Sequence, residues 1–97
     1  MNKPPLKTIH DIAGILHNPP YTDISMMCDT IVRMCEDFSD TAYAKPFAKL
    51  GVVGNALRGK SVFEFKTVTD ILLKQCSQSA QEVAAIAKQQ TTWDYST

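Results

Sequence analysis

A large net charge, long apolar segments and an even number of cysteines are all missing from this sequence. Ten basic and ten acidic side chains give the 97 residues a formal net charge of zero, which argues against a dedicated nucleic-acid binder with a basic face. No apolar stretch approaches the ~18 residues that a membrane span requires. Three cysteines and an N-terminus without a signal-peptide pattern do not indicate a disulfide framework. We therefore expect a cytoplasmic protein with reduced thiols and no membrane partner.

The composition is that of an ordinary globular protein, with 44% hydrophobic and 21% charged residues. A chain of this length can build one modest core but no second domain. We expect a single helical domain over residues 1–97, with an N-terminal arm over 1–7 and a C-terminal tail over 91–97.

Apolar residues recur at helical spacing in several segments, which predicts an all-α fold. The second helix is the strongest prediction, because its apolar stripe continues from Ile24 to Ala42 and must be buried against other elements. We expect a compact bundle of four to five helices, with helices 2 and 4 as its central pair. The predicted helices span approximately 8–17, 23–43, 46–58, 61–76 and 79–90.

The third predicted helix has a short strand as its alternative. Pro46 suits the first position of a helix, and Gly59 could end it in the left-handed conformation. However, its glycines and the pair Val52 and Val53 also suit a short strand. The alternative fold is α+β, with a short hairpin from 50–69.

Two capping boxes, each a serine followed three residues later by a glutamate, predict helix starts at Ser61 and Ser79. Because the apolar stripe of the fourth helix stays in phase through Val83 and Ile86, one long helix over 61–90 is an alternative to two shorter ones.

The segment GNALRGKS at 54–61 matches the phosphate-loop pattern. In this pattern the glycines allow backbone N–H groups to point at the phosphates, the lysine binds phosphate and the serine binds Mg²⁺. The nucleotide-binding interpretation therefore assigns Gly54, Gly59, Lys60 and Ser61 to a cofactor site. The preceding strand is short, and no later strand ends in an acidic residue. We favour a helix end at Gly59 followed by a helix start at Ser61, and no cofactor.

Charges are distributed unevenly, with acidic residues concentrated over 23–40 and basic residues over 45–66. Each group can be a solvated helix face, and the two can attract each other within the fold. As functional surfaces they would steer a partner, and the tail adds two aromatic residues of the kind that dominate binding energies. The candidate partner-binding residues are Glu36, Asp37, Asp40, Arg58, Lys60, Lys66, Trp93 and Tyr95.

We predict no catalytic or metal-binding residues, since the cysteines lie on apolar stripes where a thiol behaves as a small hydrophobe. The expected function is a small non-catalytic protein-binding module: an adaptor, regulator or inhibitor of a larger complex, of a size typical of phage and other mobile-element inhibitors. The alternatives are a nucleotide-binding protein and a DNA-binding regulator with Lys60 and Lys66 beside the second helix of a helix-turn-helix. A homodimer could cover helix 2.

Overall fold

A computed structural model describes the backbone of residues 4–18 and 23–96, with side chains up to residue 89. These residues form four α-helices: α1 (Pro5–His17), α2 (Ile24–Glu36), α3 (Ala44–Leu57) and α4 (Phe65–Ser96). A single 3₁₀ turn, Val62–Glu64, precedes α4. The all-α bundle is confirmed, and the alternative hairpin over 50–69 is wrong because this segment is helical on both sides of a short connection.

The bundle packs in a chain of helix pairs: α2 on α3, α3 on α4, and α1 on α4, with a smaller contact between α1 and α2. Helices 2 and 4 are therefore not the central pair that the apolar stripes suggested. The fully buried side chains come from every helix and include Ile12, Met27, Phe47, Leu50 and Leu72. Such a core is held mainly by the removal of apolar surface from water.

Glycines allow α2 and α3 to approach each other closely. A Cβ atom added at Gly54 would lie 3.3 Å from Val32 Cγ2 and 3.8 Å from the Cys28 carbonyl oxygen, whereas one added at Gly51 would meet only Cys35 Cβ, at 3.8 Å. At the other end of this helix pair the rings of Phe38 and Phe47 stack with centroids 4.1 Å apart.

Helix 2 ends at Glu36, so the predicted continuation to residue 43 is wrong. Side-chain hydroxyls bond to the carbonyls that a longer helix would use: Ser39 Oγ donates to the Glu36 carbonyl at 2.8 Å and Thr41 Oγ1 to the Phe38 carbonyl at 2.7 Å. Serine and threonine compete with helical hydrogen bonding in this way. Phe38 is nevertheless buried, which is why the periodicity of the stripe extended past the real end.

The starts of two other helices also lie earlier than predicted. Helix α1 begins at Pro5 instead of residue 8, so Thr8 lies within the helix, where its hydroxyl donates to the Pro4 carbonyl at 3.0 Å. Helix α3 begins at Ala44, which makes Pro46 its third residue instead of its first. Proline is tolerated there because the first four N–H groups of a helix have no intrahelical acceptor.

The end of α3 also differs from the prediction. No described glycine has a positive φ, so Gly59 does not provide a left-handed stop. The helix instead ends at Leu57, and the Ser25 hydroxyl of α2 donates to the Arg58 carbonyl just beyond it, at 2.8 Å. A side chain from the neighbouring helix thus satisfies a carbonyl that the helix end leaves unpaired.

Helix α4 is continuous over Phe65–Ser96, so the predicted boundary between 76 and 79 is wrong. The alternative of one helix over 61–90 is correct in its continuity, although the helix begins at Phe65 and ends at Ser96. Ser79 caps nothing: it is fully buried, and its hydroxyl donates to the Pro46 carbonyl of α3 at 2.9 Å. At 32 residues, α4 is more than twice as long as any other helix. None of the described helices combines the length and apolar character that crossing a membrane would require.

Candidate protein-binding surfaces

The connection between α3 and α4 is fixed by short-range hydrogen bonds. The Ser61 hydroxyl accepts from the Phe63 backbone N–H at 3.3 Å, and the Glu64 carboxylate accepts from the Ser61 N–H at 3.4 Å. The predicted capping box at Ser61 is therefore confirmed, although it opens a 3₁₀ turn before the α-helix. These bonds link Ser61 to Phe63 and Glu64 and so restrain the backbone between them. We refer to residues 58–66 as the Phe63 turn.

Two adjacent apolar side chains on this turn face water. Phe63 is 96% exposed and Val62 is 59% exposed. An exposed valine is ordinary, but a phenylalanine that contacts almost nothing of its own chain leaves a large apolar surface in water. The arrangement presents an aromatic ring to any surface that can enclose it.

The charges on the Phe63 turn are mostly basic. Arg58 forms an ion pair with Asp29 of α2, and Lys66 lies 3.0 Å from Asp70 one turn further along α4. The pair formed by Arg58 and Asp29 is one instance of the predicted attraction between the acidic and basic segments. Lys60 is exposed, and the negative charge of Glu64 is directed at the Ser61 N–H. The turn therefore offers lysines on both sides of Phe63.

A groove between α2 and α3 forms a second surface, with a volume of about 310 Å³. Its walls are mainly apolar or small, and Phe47 lies at its base. Glu36 is the only charged residue among those that line it. Asp37 and Asp40 follow in the turn after α2 and are exposed. The lining residues are Val32, Cys35, Glu36, Ser39, Ala44, Phe47, Ala48, Gly51, Val52 and Asn55. We refer to this feature, with Asp37 and Asp40, as the acidic groove.

The structure thus separates the predicted partner-binding residues into two groups. The acidic ones, Glu36, Asp37 and Asp40, lie where α2 ends and α3 begins, while the basic residues lie beyond the opposite end of α3. Since α3 has 14 residues, these ends are about 20 Å apart. Trp93 and Tyr95 lie in the helical backbone of α4, but their side chains are outside the described residues.

The phosphate-loop match lies on a different backbone from the one this motif needs. Residues 54–57 form the last turn of α3, and Gly54 is buried against α2. The N–H groups of a helix interior bond to carbonyls four residues earlier, so they do not converge on a phosphate. Leu50 to Val53, the expected preceding strand, is also helical. Lys60 and Ser61 are exposed, and the N–H and hydroxyl of Ser61 form the hydrogen bonds of the capping box.

The three cysteines are buried and form no disulfide bonds with one another. Burial raises the pKa of the Cys35 thiol to about 12, with smaller contributions from Cys76 and Glu36, and raises that of Cys76 to about 11. The pKa of Cys28 is also raised, first by burial and then by Asp29. A nucleophilic cysteine needs the opposite shift and partial exposure. Among the described residues no group of three or more histidine, cysteine or acidic side chains is placed to hold a metal ion.

Phe63 is the residue that the sequence did not single out. It follows Val62 and lies two residues before Phe65, and these apolar residues at the start of a predicted helix suggested core. The available signal was its phase: Phe65, Val68 and Leu72 define the buried stripe of α4, and Phe63 falls outside it. Comparisons with protein-family models, curated proteins and solved structures give no match for this chain.

Proposed function

We propose that this chain is a small non-catalytic protein-binding module, an adaptor, regulator or inhibitor of a larger complex, whose main contact is the Phe63 turn. The observation that supports the proposal most directly is the 96% exposure of Phe63 on a turn closed by a capping box. Aromatic side chains are enriched among the few residues that supply most of the energy of protein association.

The rigidity of the turn strengthens this interpretation. Ordering a side chain or a loop on binding costs roughly 0.5–1.5 kcal/mol for each immobilised side chain. The hydrogen bonds of Ser61 and Glu64 hold the backbone around Phe63 before a partner arrives, which removes part of that cost. The Phe63 turn is therefore prepared for association in a way that a disordered apolar segment is not.

The charges around Phe63 indicate the chemistry of the partner. Lys60 precedes Phe63 by three residues and Lys66 follows it by three, and both lysines are exposed. Opposite charge on the partner would accelerate encounter and exclude basic surfaces. We infer a partner that offers an apolar pocket with acidic residues at its rim.

Affinity capture from an extract of the cells that produce the protein tests this proposal. The wild-type chain and Phe63→Ser are compared as baits, with Leu6→Ser on α1 as the matched control for loss of an exposed apolar side chain. We expect a specific partner to be captured by the wild type and the control and to be reduced at least ~10-fold with Phe63→Ser, the effect of losing about 1.4 kcal/mol.

The melting temperature of each variant must be measured alongside. Phe63 contributes almost no buried surface, so its replacement should leave the melting temperature within about 2 °C of the wild-type value. Equal capture by the wild type and Phe63→Ser would refute the proposed role of this turn.

A further inference from the structure

The Phe63 turn and the acidic groove have complementary properties although they belong to the same chain. The turn presents an exposed aromatic ring between lysines, and the groove offers an apolar surface next to carboxylates. The ring does not enter the groove of its own molecule, since it is 96% exposed. From this complementarity we infer that the acidic groove of one copy binds the Phe63 turn of a second copy.

The dimensions of the groove suit this occupant. A cavity of roughly 150 Å³ is sufficient for a benzene ring, and the groove offers about 310 Å³. Three of the α3 residues that line it, Ala44, Ala48 and Gly51, have small side chains or none and leave space open. A phenylalanine ring could thus pack against Val32, Ala48 and Val52, which are partly or fully accessible, without displacing the core.

The charges favour the same pairing. Glu36 lines the groove, and Asp37 and Asp40 lie in the adjoining turn, where they would meet the lysines that accompany Phe63. The basic residues nearest in sequence are Arg33, exposed on α2 three residues before Glu36, and Lys45, which lines an adjoining groove between α3 and α4. Two basic turns would repel each other, as would two acidic grooves, so a contact between unlike surfaces is the favourable one.

Such a contact is heterologous: it joins different surfaces of two copies and leaves one turn and one groove unused at the ends of each assembly. The inference rests on the proposed function, because it names the partner of the Phe63 turn as this chain itself. It predicts that self-association increases with concentration and weakens as salt screens the exposed charges.

Sedimentation equilibrium on the full chain tests the inference through two variants that each remove one side of the contact. Phe63→Ser removes the ring, and Ala48→Leu fills the groove from an exposed position on α3. We expect the wild type to self-associate, and each variant alone to show a dissociation constant at least ~10-fold higher. The control Leu6→Ser should behave as the wild type, and circular dichroism should show native helix content in all four proteins.

Mixing the two variants gives the decisive result. Phe63→Ser retains an intact groove and Ala48→Leu retains an intact turn, so a mixture should form a 1:1 complex at a concentration where each variant alone is mostly monomeric. A monomeric wild type at millimolar concentration, self-association of either variant at wild-type strength, or a mixture that stays monomeric would each overturn the inference. A monomeric wild type that still captures another protein through Phe63 would overturn only this inference and leave the proposed function standing.

Discussion

Ser79 joins α3 to α4 through a hydroxyl that donates to the Pro46 carbonyl and accepts from the Gln75 side-chain amide at 3.1 Å. A buried hydrogen bond of this kind contributes about 1 kcal/mol. We therefore expect Ser79→Ala to lower the free energy of unfolding by about 1 kcal/mol in urea denaturation. Ser77→Ala, at an exposed position of the same helix, has the same change in helix propensity and should stay within about 0.5 kcal/mol. Equal effects of the two substitutions would show that the bond contributes nothing.

The buried thiols make stability depend on alkaline pH. The thiols of Cys35 and Cys76 have pKa values of about 12 and 11 in the folded chain, against 9.0 as the ordinary value. The unfolded state therefore loses these protons first, so stability is intact below pH 9 and falls as pH rises from there toward 11 and 12. Between pH 8 and pH 10 we expect each thiol to remove about 1 kcal/mol from the free energy of unfolding.

Urea denaturation at the two pH values measures this loss. The double variant Cys35→Ala and Cys76→Ala is less stable at both values because it has lost buried volume, but it should lose less stability between pH 8 and pH 10 than the wild type does. An identical pH dependence in the two proteins would contradict the assignment of this loss to the thiols.

At the scale of the helices, the approach of α2 to α3 distinguishes two glycines of the same helix. Replacing glycine by alanine within a helix gains about 1 kcal/mol when space is available. Gly51 has that space, with Cys35 Cβ at 3.8 Å, whereas a Cβ at Gly54 meets Val32 Cγ2 at 3.3 Å. Valine in a helix has one strongly preferred rotamer and does not move aside easily. We expect Gly51→Ala to be stabilising and Gly54→Ala to be at least ~1 kcal/mol less stable than Gly51→Ala.

Thermal or urea denaturation of the two variants provides the measurement, with Gly14→Ala on α1 as the control for propensity alone, since a Cβ there has nothing within 4 Å. If Gly54→Ala gains as much stability as Gly14→Ala, the close contact between α2 and α3 is not limiting.

The helical state of residues 54–57 also leads to a prediction about nucleotides. Their backbone N–H groups are engaged within α3, so Mg-ATP and Mg-GTP should not bind at this segment. A ligand present at 100 times its dissociation constant would stabilise the fold by about 2.7 kcal/mol, a shift of several degrees in melting temperature. We expect no shift at millimolar nucleotide, in the wild type or in Lys60→Ala. A shift that disappears in Lys60→Ala would mean that α3 unwinds to form a phosphate loop.

The same local signature led to a correct prediction at Ser61 and to a wrong one at Ser79. Both serines are followed by glutamate three residues later, yet Ser61 caps a turn and Ser79 bonds to α3 in the middle of a helix. What separates them is tertiary contact, which a local pattern does not contain. The apolar stripes predicted the helices and most of the core, because burial of one face is required of any such helix. The phase of Phe63 places it outside the buried stripe of α4, but the extent of its exposure, 96%, also depends on where the neighbouring helices end, which the local pattern does not contain.

The shape of the whole molecule follows from the length of α4. A helix of 32 residues is about 48 Å long, and the longest dimension of the chain is 53 Å against 21 and 20 Å for the others. Val83 is the last fully buried side chain described in this helix, and Ala84 and Ala85 are exposed. Helix α4 therefore extends past the part of the bundle where α1 and α3 cover it.

This geometry predicts a gradient of amide hydrogen exchange along one continuous helix. Amides of Leu72 to Cys76 lie in the part of α4 that packs against the core and should exchange only through near-global unfolding. Those of Ala87 to Gln89 lie beyond Val83, the last fully buried position described in the helix, and should open locally because less burial stabilises them. We expect the second group to exchange at least ~100-fold faster after correction for intrinsic rates. Exchange is measured by NMR at one concentration where the chain is monomeric and at a second where it associates. The comparison also reports on the proposed contact, because amides of the acidic groove and the Phe63 turn should gain protection on association, while those of Ala87 to Gln89 should not. Uniform protection throughout α4 would instead mean that its distal part is covered by another element or another copy.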